Sequence, residues 1–566
     1  MNGAYLLLIA AACFLGGYLI YAKWLTKVLG VDPAKPTPAH VKNDGKDYVP
    51  ANSTVLFGHH FAAIAGAGPI VGPVLAAEFG WASVALWIIL GCVFIGAAHD
   101  MIAMFLSVRH EGQSIGSVIG EILGKPGKIM FLFFCWSALV LVVAEFTRQI
   151  AGTFVADPAI ATASLLFIGE AILFGLCVYR WKMSVLTASL IFVPVMFAFV
   201  WVGNLFPLDL AKLFGLAPET VSTIWTLVLI VYCFFASTCP VQYLLQPRDY
   251  LNAYLLYTMM LFGFLGVFVA HPVLHTEAFA GFSVVGRSGA TDLLFPFLFV
   301  TVACGACSGF HAIVASGTSS KQLDNERSIR PIAYGGMLLE GVLAIIALIG
   351  VAGTYASQTD YVSAIKGMEP VQMFASTIAG FCAKIGIPQR VAESFMLLSV
   401  SAFLMTSVDA GTRLARFSWQ ELFRNEKPKP KTEELPGARA GGRLQNLMGN
   451  MYVGTTVVCV LAAGLLLGNP KAAKQLWTLF ASANQLLASL TLLTATLWLL
   501  RNRKPCWMTA VPMAFMFSVS SWALWSILVS SIQNGQVIRI VASGFLLALA
   551  AALIVVTVVK GRRSVA

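Results

Sequence analysis

The sequence predicts an all-α polytopic membrane protein whose core is an inverted repeat of five helices and five, with extra helices around it. Three observations carry this expectation. Of 566 residues, 58% are hydrophobic and 11% charged, with a mean hydropathy of +0.80, whereas a soluble domain is about 25% charged. Apolar runs near bilayer-spanning length, about 20 residues in a helix, recur along the whole chain. Two of the runs are interrupted by proline and small polar residues, at positions that an inverted repeat would relate.

This composition excludes an ordinary soluble enzyme. The formal charge of +11, from 37 Lys+Arg against 26 Asp+Glu, lies in short loops and reports topology, with no nucleic-acid partner implied. Eleven cysteines are scattered, several inside apolar runs (Cys135, Cys177, Cys233), where they read as small buried hydrophobes.

The first run, Tyr5 to Ala22, carries its positive charges afterwards, at Lys23 and Lys27, and reads as a retained helix with its N-terminus outside. Further runs cover 54–77, 81–105, 128–150, 159–178, 184–205, 222–245, 251–270, 294–316, 332–354, 393–412, 450–467, 476–499, 507–529 and 537–559, giving about fifteen transmembrane helices. The alternation is checked by the basic residues, which should lie in cytoplasmic loops. Arg180 and Lys182, then Lys321, Arg327 and Arg330, then Arg501, Arg503 and Lys504 all do, and Lys560, Arg562 and Arg563 put the C-terminus in the cytoplasm. The longest polar stretch, Arg413 to Gln445, reads as a mobile cytoplasmic linker. The expected organisation is an extra helix and cytoplasmic loop over 1–53, a ten-helix core over 54–415, a linker over 416–446 and four added helices over 447–566.

The second span contains Phe57-Gly58-His59-His60-Phe61 and then Gly66-Ala67-Gly68-Pro69-Ile70-Val71-Gly72-Pro73. Proline removes a backbone donor and clashes with the preceding turn, so a discontinuous helix is expected, tolerated at membrane depth only where it lines a cavity or is held by neighbours. Ser237-Thr238-Cys239-Pro240 reads as a second interruption, in the middle of the seventh span. Counted from the second span these are core helices one and six, running in opposite directions, as the inverted repeat requires. Broken helices in corresponding places point to a transporter binding site. Gly66, Ala67, Gly68 and Pro69, with Ser237, Thr238, Pro240 and Gln242, are the expected substrate-binding residues.

Ionisable residues inside spans are costly and mark function by default. His59, His60, Asp100, His311 and Asp409, together with Ser308, are the candidates for proton or monovalent-cation coupling. His59 should sit ~10 Å from the break, on its cytoplasmic side. If the first and eighth core helices pack together, His59 or His60 approaches His311, as a proton relay or as a metal site of His59, His60 and His311. Cys304 and Cys307 have CxxC spacing without a second pair, and Glu145 pairs most simply with Arg148 one turn on. No Gly-rich phosphate loop is present, so transport of a small molecule would be secondary rather than driven by ATP. An intramembrane metal or redox protein, and a nutrient sensor using the Arg413–Gln445 segment, are the rival readings from other classes.

Four motifs carry a family resemblance. They are Val55 through Pro69; Ser308-Gly309-Phe310-His311 followed by Ser316-Gly317-Thr318; Ser401-Ala402-Phe403 with Asp409, Arg413 and Arg416; and Ala483-Asn484-Gln485-Leu486-Leu487-Ala488. With these motifs in this order, the chain resembles the carbon starvation protein A family over most of its length. The resemblance implies a non-enzymatic inner-membrane protein that imports peptides during nutrient shortage or, as in close relatives, pyruvate with protons. It also implies a core like that of the amino acid-polyamine-organocation (APC, LeuT-like) transporters. Ala51-Asn52 and Phe480-Ala481 depart from the expected pattern and leave the substrate open between a peptide and a small carboxylate. Oligomeric state is likewise left open.

Overall fold

In lipid every backbone N–H and C=O must be satisfied within the chain, so apolar runs of this length fold as helices. The computed structural model describes residues 1–45, 48–240, 243–287, 291–423, 447–468 and 476–565. In chain order the spanning helices are α1 (Gly3–Leu29), the bent pair α2 (Ser53–Ile64) and α3 (Gly68–Phe79), α4 (Trp81–Arg109), α5 (Ile115–Ala156), α6 (Pro158–Arg180), α7 (Val185–Phe214), α8 (Pro218–Thr238) and α9 (Leu245–Ala270). A short hairpin of β1 (Ser283–Val285) and β2 (Thr291–Leu293) follows, then the half-helices α10 (Leu294–Thr301) and α11 (Gly309–Gly317). The remainder are α12 (Glu326–Thr354), α13 (Gln358–Gly367), α14 (Pro370–Ala383), α15 (Gln389–Phe423), α16 (Met451–Leu467), α17 (Leu476–Arg501), α18 (Trp507–Gln533) and α19 (Val537–Val559).

Among the described residues twelve helices are long and apolar enough to cross a membrane, thirteen with the bent pair as one span. This is a multi-pass membrane protein. The two other expected runs are helical but do not meet that length: 294–316 is divided into α10 and α11, and α16 has 17 residues. The expected run 222–245 ends earlier, at Thr238. One apolar helix, α14, was not expected, because Met373, Phe374 and Ile378 are interleaved with polar residues and the run is short.

The expected linker begins later than its composition indicates. Helix α15 continues to Phe423, and Arg413 and Arg416 are buried in it. Their Nη atoms donate to the Ala236, Cys239 and Ser237 carbonyls at 2.8, 2.7 and 2.6 Å, satisfying the exposed end of α8. The rest of that stretch, 424–446, lies outside the described residues.

The two ends of the bundle are tied differently. At the basic end, Arg109 Nη2 meets Glu326 Oε2 at 2.9 Å and donates to Gly30 O at 2.8 Å, and Lys504 Nζ donates to Leu29 O. At the hairpin end, Tyr361 Oη and Gln358 Nε2 donate to the carbonyls that terminate α3, those of Val74, Leu75, Ala77 and Glu78. Arg287 beside the hairpin meets Glu369 at 3.1 Å. Helices α12, α15 and α17 are the most enclosed of the long helices, whereas α7 and α19 expose most of their apolar surface, as lipid-facing helices do.

Candidate functional site

The first break has the form the prolines dictate. Helix α2 ends at Ile64, α3 restarts at Gly68 with Pro69 in its first turn, and the two axes differ by 43°. Proline is well tolerated at a helix start because the missing N–H would be unpaired there anyway.

The second break is not where the proline at 240 placed it. Ser237 and Thr238 are the last residues of α8, and Pro240 follows its end, a common position for a residue that cannot continue a helix. Ser237 is buried at that end and touches Thr455. Gln242 lies outside the described residues. The true second interruption is Val302–Ser308, between α10 and α11. It contains no proline, so the signal used for the first break was missing; Cys304-Gly305-Ala306-Cys307-Ser308 marks it only by its small residues.

The two broken spans cross antiparallel at their breaks, with α10 packed on α3 and α11 on α2. Glycine makes the crossing possible. A Cβ on Gly68 would occupy the Cys304 side chain, one on Gly72 would stand 2.7 Å from the Thr301 carbonyl, and one on Gly66 would stand 2.6 Å from Ser407 Oγ of α15. Ala67 and Pro69 are buried in the same contact.

Helix α17, expected among the C-terminal additions, holds both sides of the second break. Asn484 Oδ1 accepts from Phe310 N at 2.8 Å, capping α11, while Asn484 Nδ2 donates to Ser308 Oγ at 3.0 Å. Gln485 Nε2 donates to the Phe299 carbonyl on α10.

Beside the crossing lies a fully buried cluster of ionisable groups. His99 Nδ1 donates to Asp100 Oδ1 at 2.7 Å, and His311 Nδ1 donates to Asp100 Oδ2 at 2.8 Å. On its other side His311 Nε2 lies 3.2 Å from Glu340 Oε2 of α12. Among the described residues neither carboxylate pairs with a lysine or arginine. His60 lies close enough to Asp100 and His311 to interact electrostatically with both, and its Nδ1 meets Ser319 Oγ at 2.8 Å.

A second cluster occupies the junction of α2, α8, α9 and α15. Arg248 Nη1 lies 2.5 Å from Asp409 Oδ2, Tyr232 Oη donates to the same oxygen at 2.7 Å, and His59 Nδ1 lies 3.5 Å from Asp249 Oδ2. Consecutive helical residues point about 100° apart, and so His59 and His60 serve different clusters. Among the described residues no group of three or more His, Cys, Asp or Glu is arranged to hold a metal ion, the expected set of His59, His60 and His311 included.

The structure thus joins Asp100 to His311 and places Ser308 at the α11 cap, but puts Asp409 with Arg248 instead. Glu340, Arg248, Asp249 and Asn484 were missed. Glu340 was legible as the lone charge inside the 332–354 run; Arg248-Asp249 was hidden because it precedes the 251–270 run and read as loop.

A sequence profile described as "Carbon starvation protein CstA" matches residues 2–363 and 353–523. The chain belongs to this family. Relatives include the peptide transporter CstA of Bacillus subtilis, 33% identical over 91% of this chain and 89% of its own length, and that of Campylobacter jejuni, 33% identical over 91% and 79%. The pyruvate/proton symporter BtsT of Escherichia coli is 30% identical over 93% of this chain and 81% of its own length. Among solved structures, MhsT in complex with L-phenylalanine aligns over 91% of this chain and 99% of its own at 12% identity and a TM-score of 0.47. Asn484, Gln485, Ser308 and His311, which stand in the motifs quoted from the sequence, fasten or flank the second break.

Proposed function

We propose that this family member is a secondary active transporter that imports peptides during nutrient shortage and couples them to inward proton movement. The relatives named as peptide transporters support the substrate class. A pyruvate reading is favoured by one specific observation, the relative named as a pyruvate/proton symporter over 93% of the chain.

The observation that carries the mechanism is the Asp100–His311–Glu340 cluster beside two antiparallel breaks. With Nδ1–H of His311 committed to Asp100, Nε2 and Glu340 have one proton between them or two. When both carboxylates are ionised and the imidazole doubly protonated, the trio retains one negative charge in excess. An uncompensated buried charge costs several kcal/mol, and one further proton removes it. The closed arrangement therefore favours the proton-loaded state, and opening the bundle to water permits release. The Arg248–Asp409 pair, by contrast, contains a permanent guanidinium and needs no proton for its balance.

In this reading α2/α3 is the first and α10/α11 the eighth span of an APC-like core, with α4 to α9 between them, and access alternates by rocking around the two breaks. Substrate rests near Gly66–Pro69, where the α3 N-terminus favours an anionic group. In the same reading the basic loops are cytoplasmic, the N-terminus is outside and the membrane is the inner one; the Lys and Arg in those loops support this. The test is uptake of labelled dipeptide and labelled pyruvate into proteoliposomes, with and without an inward proton gradient. Gradient-dependent accumulation of either is expected, and accumulation of neither rejects the function.

A further inference from the structure

We propose that Arg248 is a carboxylate-binding residue, gripping the substrate on the His59 side of the first break. This rests on the transport reading above and deepens it, giving the substrate's anionic group a charged side-chain partner beside the Gly66–Pro69 break. Arg248 stands in the first turn of α9, 1% exposed. Only one of its three nitrogens is used: Nη1 contacts Asp409 Oδ2 at 2.5 Å and donates to Tyr232 Oη. Nε and Nη2 have no partner, although both are buried. Those two nitrogens form one edge of the guanidinium, with N–H bonds parallel and spaced to meet both oxygens of a carboxylate.

The surroundings bear on what binds there. Asp249 Oδ1, Asp409 Oδ1 and Asn252 Oδ1 are also buried without partners. Asn252 Nδ2 is anchored to Thr406 Oγ1 and, at 3.2 Å, to Ala402 O. The neighbouring Ser407 Oγ, unpartnered too, is the atom a side chain on Gly66 would strike, so the cluster adjoins the break itself. The other guanidiniums nearby, Arg413 and Arg416, are engaged with the α8 carbonyls.

More than nine in ten buried polar groups in native proteins are bonded, and two adjacent donors with three nearby acceptors, all unpaired, form a built recognition site. The donor edge matches a carboxylate. The acceptor oxygens repel one and suit an ammonium. A dipeptide would satisfy both sets, pyruvate only the donors. Both candidate substrates carry the carboxylate that Arg248 takes.

The experiment compares binding of dialanine, dialanine amide and pyruvate to the purified full chain by titration calorimetry, beside proteoliposome uptake. The amide should bind at least tenfold more weakly than the free acid if the peptide is the substrate. Arg248→Gln alone strands Asp409 as an unpaired buried charge, so it is combined with Asp409→Asn. That double variant should remain monodisperse and lose at least tenfold in affinity for the carboxylate ligand bound by the unmodified protein. Asp249→Asn should weaken dialanine and spare pyruvate. Equal binding of acid and amide, or wild-type affinity in the double variant, overturns the site and leaves Arg248 bound to water only. If the double variant does not fold, the acid-to-amide ratio decides for a peptide, and for pyruvate the ratio to its uncharged methyl ester decides. Uptake that persists while these tests fail rejects Arg248 alone. A protein that neither binds nor accumulates any of these ligands rejects the transport reading and this proposal together.

Discussion

His311 and Glu340 stand 3.2 Å apart, Nε2 to Oε2, on two helices that the chain reaches from opposite sides of a cytoplasmic-type basic loop. Both side chains are completely buried. The two atoms approach without hydrogen-bond alignment, so their interaction is electrostatic and changes with any movement between α11 and α12.

Glu340→Gln should therefore separate transport from coupling. The amide keeps the shape and removes the excess negative charge, so the cluster is neutral without the additional proton. Gradient-driven accumulation should fall at least tenfold while substrate exchange at equal pH on both sides persists. Paired measurement of accumulation and counterflow checks this, and unimpaired accumulation would remove Glu340 from the coupling.

The glycines at the crossing give a contrast between close neighbours in sequence. A methyl on Gly68 overlaps Cys304, whereas the nearest atom to one on Gly58 is Tyr257 Oη at 3.5 Å, ordinary contact. Gly58→Ala should be neutral or stabilising by up to about 1 kcal/mol, since alanine loses less conformational freedom in a helix. Gly68→Ala should reduce uptake at least tenfold with protein still in the membrane. Equal activity of the two variants would show that the breaks are not in tight register.

Asn484 is predicted to matter for stability as well as for transport. Asn484→Ala removes the acceptor from Phe310 N and the donor to Ser308 Oγ. Leaving the buried Phe310 N–H without its capping acceptor costs about 1–3 kcal/mol. The thermal midpoint in detergent should fall, and Asn484→Asp, which retains the acceptor, should recover part of it. No change in midpoint for the alanine variant would contradict the capping role.

These residues also show where the sequence was readable. The bilayer's demand on backbone hydrogen bonds made the helices legible as apolar runs, and Pro69 made the first break legible because proline acts locally. The second break depends on Asn484 and Gln485 reaching from a helix about 180 residues away, a long-range effect for which no local pattern exists. Pro240 misled for the complementary reason: proline marks the end of a helix as readily as a kink within one. Asp100 and His311 stood out by their cost in the membrane, but their pairing required the packing of α11 on α4.

The hairpin end should respond to acid. Burial pushes the Asp292 carboxyl up to about 6, against about 3.9 for an unperturbed aspartate. The closed hairpin thus holds the proton better than the open one, and Asp292's contribution to its stability should rise as pH falls from about 6 towards 4 and be constant above about 6. Asp292 faces Glu78 across Gly286, and the adjacent Arg287 is already engaged with Glu369, so among the described residues no free cation offsets the carboxylate when it ionises. Hydrogen exchange at residues 283–287, corrected for the intrinsic pH dependence, should show greater protection at pH 5 than at pH 7.5, and Asp292→Asn should abolish the difference. Equal or lower protection at pH 5 would mean that the hairpin is held by its backbone pairing and the Arg287–Glu369 contact alone.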